Sequence, residues 1–320
     1  MIINEFFEGQ GLGNQLWCYI STLGIANKLG VEQININCEK FKGKDFLEIN
    51  NCYNYNGNYK IYYERLYYDD RIKYIASSYD PGVLLIKGDT KIIGILQSEK
   101  YFYEYKDIIN DNIKIKNENK IFAIDNDVCI LNIRGGEYKK HKDFILPKSY
   151  WLNAMRNIQK YCDIKKFMIV TDDVKYAKYL FPNIKDIITG IEETFYALYS
   201  AKNIIVSNST FSYFPIKMSS KFKNIIAPML WARFKNKECI WASPCNYYDE
   251  WHWQDSYGNI IENEICKNII SNTEAIYKEK FYILARPEAI TNYRMKNNKI
   301  LIFIKNIIKK ILRIISPRYF

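Results

Sequence analysis

The chain has 320 residues, 48% of them hydrophobic, which is room for two domains with buried cores. Of its formal net charge of +11, seven come from Lys296, Lys299, Lys305, Lys309, Lys310, Arg313 and Arg318, a stretch with no acid, so the rest is only mildly basic and a nucleic-acid-binding face is not expected. With only two histidines, His141 and His252, a histidine-rich metal site is excluded, and the eight cysteines, none in a CxxC pair, read as buried free thiols in a reducing cytosol.

Residues 2–7 predict a short strand, broken by Gly9, Gly11 and Gly13. Residues 16–29 carry helical apolar spacing ending at Gly30, and residues 31–37 read as the next strand. This strand–glycine turn–helix–strand unit opens a parallel α/β sheet. Residues 40–90, rich in Tyr, Asn and Asp, predict irregular structure with short helices. A buried strand at 91–96 and a helix near 98–109 follow, and the polar stretch 110–120 marks a domain boundary.

The α/β rhythm then repeats. Strands are expected at 128–133, 167–170, 203–206 and, last, at 225–226. Helices are expected at 148–161, 174–180 and 192–200. Trp241, Trp251 and Trp253 fall in a polar stretch, where they either stack on sugar rings or fill a core. Residues 296–315 form a basic, Ile/Leu-rich amphipathic helix candidate. The first residues contain Glu5 and Glu8 and no basic leader, and no apolar run is long enough to span a bilayer.

Three strand ends in the second half could carry chemistry. Asn132-Ile133-Arg134-Gly135-Gly136-Glu137-Tyr138 puts an arginine where a doubly wound sheet opens onto its crevice, and a planar guanidinium suits a diphosphate. The alternative is a surface arginine–carboxylate pair. Thr171-Asp172-Asp173 supplies carboxylates for ribose or base, or else helix caps. Ser207-Asn208-Ser209-Thr210-Phe211-Ser212 supplies hydroxyls and free amides at a helix start, an anion cradle or simple capping. In the first half, Gly9 to Leu16 is glycine-rich but departs from the dinucleotide fingerprint, with Asn14 where the last glycine belongs.

In their motifs and order these segments resemble glycosyltransferase family 11, the α-1,2-fucosyltransferases. Gln10-Gly-Leu-Gly-Asn-Gln-Leu-Trp17 is similar to that family's opening Gly-Gly-Leu-Gly-Asn-Gln-Leu/Met-Phe. Similar too are Ile93-Gly-Ile-Leu-Gln-Ser-Glu-Lys-Tyr-Phe102, the Arg134 motif in part, Leu146-Pro-x-x-Tyr150, the run ending at Ser212, and Ile225-Ile-Ala-Pro-x-x-Trp231, in family order over residues 5–235. The resemblance implies a GDP-sugar donor, fucose or a related deoxyhexose, inversion at the anomeric carbon and no metal or other cofactor. Departures are Asn132 for the family's His, Gly135 for its second Arg, Glu137 for its Asp, and Tyr213 and Phe214 for its tryptophans.

The expected fold is α/β and GT-B-like: two Rossmann-like doubly wound domains with a central cleft, plus a C-terminal basic amphipathic helix. The domains are 1–118, on the acceptor side; 119–280, binding the nucleotide sugar; and a tail at 281–320. Donor-binding candidates are Gly11, Gly13, Asn14, Gln15, Asn132, Arg134, Thr171, Asp172, Asp173 and residues Ser207, Asn208, Ser209, Thr210, Phe211 and Ser212. Arg134 would relieve charge on the departing diphosphate. Asp143, farther along the chain from Arg134, is the preferred base; Glu137 is the other catalytic candidate or else a structural partner of the nearby lysines, and His141, between lysines, reads as plainly exposed. The expected acceptor is a cell-surface glycan or its lipid-linked form, reached from the inner face of the cytoplasmic membrane, with residues 296–315 on an anionic lipid surface or packed on the catalytic domain. Competing readings are a transferase with another donor sugar, a non-catalytic nucleotide- or glycan-binding relative, and a membrane-surface adaptor.

Overall fold

The computed structural model describes residues 1–69, 74–105, 107–221, 223–280 and 282–283. Strand β1 (Ile2–Glu5) runs into helix α1 (Leu12–Leu29), which starts earlier than its apolar spacing suggests, so Gly13 and Asn14 lie in its first turn. Gly30 ends it at φ 64, the left-handed cap that glycine adopts without a Cβ penalty. Helix α1 is buried from Leu12 to Ala26 apart from half-buried Asn14, because it is wedged between the halves of the molecule. Its Trp17 ring lies 5.9 Å from Phe102 of the first half and 4.4 Å and 5.5 Å from Tyr213 and Phe214 of the second.

The chain continues through β2 (Gln33–Ile36), β3 (Leu47–Ile49), β4 (Lys60–Tyr63), β5 (Leu66–Asp69), β6 (Tyr74–Ala76) and β7 (Thr90–Ile93). The irregular segment with short helices expected at 40–90 does hold a 3-10 helix, Pro81–Leu85, among irregular stretches, and what the expectation lacked is the short strands. Their alternation is too brief and too tyrosine-rich to register as a period of two. Strands β2-β1-β7-β4 form a parallel sheet in that order, with register pairs such as Ile3↔Ile34 and Ile61↔Lys91. The helix expected at 98–109 is a 3-10 turn, Glu99–Tyr101, followed by the short helix α2 (Ile108–Asn112). Strand β8 (Ile113–Ile115) then pairs back onto β3.

The second sheet is built from β9 (Val128–Ile133), α3 (Lys148–Ile158), β10 (Lys166–Thr171), α4 (Val174–Leu180), β11 (Ile187–Ile188), α5 (Ile191–Ser200), β12 (Asn203–Val206), α6 (Tyr213–Met218) and β13 (Asn224–Pro228). Strand β13 is not the last. Strand β14 (His252–Gln254) adds parallel to it and β15 (Ile260–Ile261) antiparallel, giving the order β11-β10-β9-β12-β13-β14-β15. The six parallel strands follow the 3-2-1-4-5-6 order of a Rossmann sheet, with the switch point between β9 and β12. Two doubly wound sheets facing a cleft are the GT-B-like α/β architecture expected.

Three further expectations change. Cys38 and Cys52 are joined as a disulfide across 6.1 Å of Cα separation, so the thiols are not all free; a spacing of 14 residues gives no sequence signal. Trp241, Trp251 and Trp253 are buried at 0%, 3% and 0% exposure and pack on one another, which corrects their sugar-stacking reading to core. Helix α7 (Asn263–Lys280) returns the chain to the first half, where β16 (Tyr282–Ile283) pairs with β5. There Tyr277 stacks on Tyr67 at 5.3 Å, and the buried Arg233–Asp69 ion pair links the halves. The basic helix expected at 296–315 lies outside the described residues. Among the described residues no helix is long and apolar enough to cross a membrane.

Candidate active site

The carboxyl ends of both sheets open onto one cleft of about 620 Å³. Each sheet presents its switch point there: β1 and β7 in the first, β9 and β12 in the second.

On the second-half wall, Arg134 follows β9. Its Nη1 lies 3.0 Å from Asp172 Oδ2, and Asp172 Oδ1 accepts the Gly135 amide at 2.9 Å. The guanidinium also lies over the Tyr138 ring, 5.2 Å from its centre, while the Tyr138 hydroxyl donates to Asn208 O at 3.2 Å. One carboxylate and one ring thus fix the plane of the fork, so both the ion pair and the cleft position foreseen for Arg134 hold together. Its Nε is buried with no protein partner, as are Asn132 Oδ1 and both side-chain polar atoms of Asn208. Asn132, Arg134 and Asn208 all line the cleft. Buried polar atoms without partners are rare and costly, so several on one wall mark a surface built to be completed by a ligand.

Gly135 stands where the resembled family has its second arginine. A Cβ there would come within 2.6 Å of Asp173 Cβ. Asp173 occupies that space because its Oδ1 caps α4, accepting the Tyr176 amide at 3.0 Å, and it pairs with Lys139. Lys139 and then the Tyr176 amide hold the Asp173 carboxyl below the usual range. Asp173 does not line the cleft, which corrects its donor-binding assignment to that of a cap. Thr171 and Asp172 do line it.

Within 207–212 the wall is made by Asn208, Ser209, Thr210 and Phe211. Ser207 and Ser212 do not line it: the Ser212 hydroxyl donates to Ser209 O at 3.0 Å, whereas the Ser207 hydroxyl is buried with no protein partner. Residues missed in the sequence include Gly190, Ile191 and Thr194, at the turn from β11 into α5, with Gly190 at φ 99. A glycine two residues past the strand end was the available signal.

On the first-half wall, Gly11, Gly13 and Asn14 line the cleft. Asn14 Oδ1 accepts from Gln97 Nε2 at 3.0 Å and from the Thr210 hydroxyl of the second half at 2.7 Å. A Cβ on Gly13 would sit 2.7 Å from the Phe211 backbone, so this glycine serves the close approach of the two halves. Gln15 is corrected: fully buried, it binds Lys40 O at 2.9 Å and the Lys42 amide at 2.8 Å, because the 40–42 loop needs those partners. Lys42, Tyr74 and Ile75 reach the cleft from segments that sequence patterning left unparsed.

Of the base candidates, Glu137 lines the cleft and Asp143 does not. The loop after Glu137 turns so that Phe144 faces the cleft, packed edge-on to Tyr138 at 5.4 Å. His141 is exposed, its ring 5.1 Å from Phe144. Among the described residues no group of three or more His, Cys, Asp or Glu is placed to hold a metal ion.

No family model matches the chain. It is similar to an α-1,2-colitosyltransferase of Escherichia coli, 26% identical over 181 residues. That match covers 50% of this chain and 61% of the relative, so the chain spans less than two thirds of that protein's length. Among solved structures it is similar to the fucosyltransferase NodZ from Bradyrhizobium, with 12% identity, 68% of this chain and 93% of that one covered, and a TM-score of 0.42. It is also similar to the Escherichia coli heptosyltransferase WaaC with ADP, at 9% identity, 85% and 100% coverage and a TM-score of 0.41. A glycosyl transferase family 9 structure from Veillonella parvula has 13% identity, 92% and 96% coverage and a TM-score of 0.43.

Proposed function

We propose that the chain is an inverting glycosyltransferase that moves fucose or a related deoxyhexose from a GDP-sugar to a hydroxyl of a surface glycan. The observation that carries the reading is Arg134, held by Asp172 and Tyr138, with its buried Nε unpartnered on the same wall as the orphaned Asn132 Oδ1 and the orphaned side-chain amide of Asn208 at a Rossmann switch point. The similarity to a colitosyltransferase supports sugar transfer. GDP as the nucleotide is what the motif resemblance implies.

In this mechanism the acceptor oxygen attacks the anomeric carbon while the bond to the β-phosphate oxygen breaks, leaving its electron pair on GDP. Arg134 and the Thr210 amide neutralise that developing charge without a metal, the Ser209 amide being taken by Ser207 O at 2.8 Å. Glu137, the carboxylate on the wall that is not tied to Arg134, takes the hydroxyl proton. The test is GDP release from GDP-fucose, with and without EDTA. Release by the wild-type chain in both, lost in Arg134→Ala, is the expected result. Binding of GDP with no release from any GDP-sugar points instead to a non-catalytic relative, a reading favoured by the Asn132 and Gly135 departures.

A lipid-linked acceptor on the inner face of the cytoplasmic membrane, met through residues 296–315, belongs to the same proposal. Flotation with anionic vesicles of the full chain against one ending at Lys296 tests it. Equal binding would remove the anchor.

A further inference from the structure

Glu64 lies just beyond the carboxyl end of β4 and is 1% exposed. A carboxylate there must be answered by donors. Its Oε2 accepts the amides of Ile95 and Leu96, each at 2.8 Å, and its Oε1 accepts the Tyr101 hydroxyl at 2.9 Å. Both amides belong to the turn that follows β7, where Leu96 has φ 47, a conformation leucine rarely adopts. The turn is shaped to this side chain: a Cβ on Gly94 would come within 2.4 Å of Glu64 Oε2. From α1, the Ser21 hydroxyl donates to Leu96 O at 2.7 Å. The next side chain along, Gln97, lines the cleft beside Ile95 and donates to Asn14, which in turn accepts from Thr210.

We propose that Glu64 is a positioning residue of the transferase site: its carboxylate holds the 94–97 turn so that Ile95 and Gln97 form the first-half wall and Gln97 sets Asn14 against Thr210. The proposal rests on the transferase reading. Glu64 does not touch the cleft and acts through the turn. Burial pushes its carboxyl up to about 7, against the pull of the Leu96 amide, the Tyr101 hydroxyl and the Ile95 amide. The other titratable groups facing it are Cys18 on α1, Cys245 and Asp80, the last paired with Arg65.

The experiment compares the full chain with Glu64→Ala and Glu64→Gln, glutamine keeping an oxygen for the two amides. Three quantities are read: hydrogen exchange over 94–98, GDP affinity by calorimetry, and GDP release from GDP-fucose across pH. Expected in Glu64→Ala are exchange faster by about tenfold or more and GDP release slower by about tenfold or more, with GDP affinity within about threefold of wild type. Glu64→Gln is expected to restore exchange protection and release, and to lack any inflection that Glu64, its carboxyl pushed up to about 7 by burial, gives the wild-type profile. A folded Glu64→Ala chain with wild-type exchange and release overturns the proposal. Should that variant not fold, Glu64→Asp, one methylene shorter and unable to reach both amides, decides: faster exchange over 94–98 with slower release upholds it, and wild-type exchange and release overturn it. Absence of GDP binding in the wild-type chain instead removes the transferase reading, while the exchange comparison still reports whether Glu64 holds the turn.

Discussion

The two walls of the cleft are built from the same kind of strand end but treat their polar groups in opposite ways. On the first-half wall Asn14 and Gln97 bond to each other and Asn14 to Thr210, with buried Gln15 occupied behind them on the 40–42 loop. On the second-half wall Asn132, Arg134 and Asn208 keep buried polar atoms with no protein partner. A satisfied network is rigid, and an unsatisfied one is poised for something else to complete it. The contrast teaches that two halves resembling one family can differ in state: the polar side chains of the first-half wall are engaged with one another, and the second-half strand ends keep the polar atoms that the proposed donor would complete.

The largest expected effect comes from Arg134→Ala. Turnover should fall by a factor on the order of 10² to 10³, as for loss of one preorganised charge donor. GDP affinity should fall with it, and the melting temperature should stay close to wild type, because the residue is half-buried on the cleft wall. Unchanged GDP release would break the distinction between the walls at its strongest point.

Next is Gly13→Ala, which drives a methyl into the Phe211 backbone where the halves meet. Overpacking of this kind costs about 1–3 kcal/mol, to be read from urea unfolding. A neutral result would mean that the halves approach less closely than described. Asn14→Ala should cost about 1–2 kcal/mol through the stranded Thr210 hydroxyl and Gln97 amide. Its GDP affinity should change far less than in Arg134→Ala. A loss as large as that of Arg134→Ala would erase the contrast.

The smallest effect is one of pH. Glu64 titrates near 7 in the fold against an ordinary value of 4.5, so the folded chain keeps that proton longer than the unfolded one. Stability from this group is therefore present below about 4.5 and is lost as pH rises through about 7. The melting temperature of Glu64→Gln should decline less than that of wild type over this window. Parallel curves would show that the carboxyl titrates as an ordinary one.

Much of the second half was readable from pattern. Strands β9 and β12 and helix α4 fall where their apolar runs and flanking residues put them, since each is bounded by polar turns and carries a clean period. Arg134 was legible as a cleft residue because the carboxyl end of the first Rossmann strand is where such sheets open. Asp173 and Asp172 could not be told apart, because a cap and a ligand contact ask for the same side chain. Asp143 was preferred over Glu137 on linear distance from Arg134, and linear distance says nothing about which way a short 3-10 turn, Gly136–Lys140, points its side chains.

By itself the sequence determined the α/β class, the repeated strand–turn–helix units and the chemistry available at each strand end, because these depend on local periodicity and residue type. Only the tertiary structure decided which of those ends meet. It brought Gly13 against Phe211, Asn14 against Thr210, and Glu64 under the turn after β7. It also closed the Cys38–Cys52 disulfide and turned the tryptophans of 241–253 into core. Such pairings join residues from 14 to 198 positions apart, and what selects them is how the packed halves fit together, which no short window of the chain records.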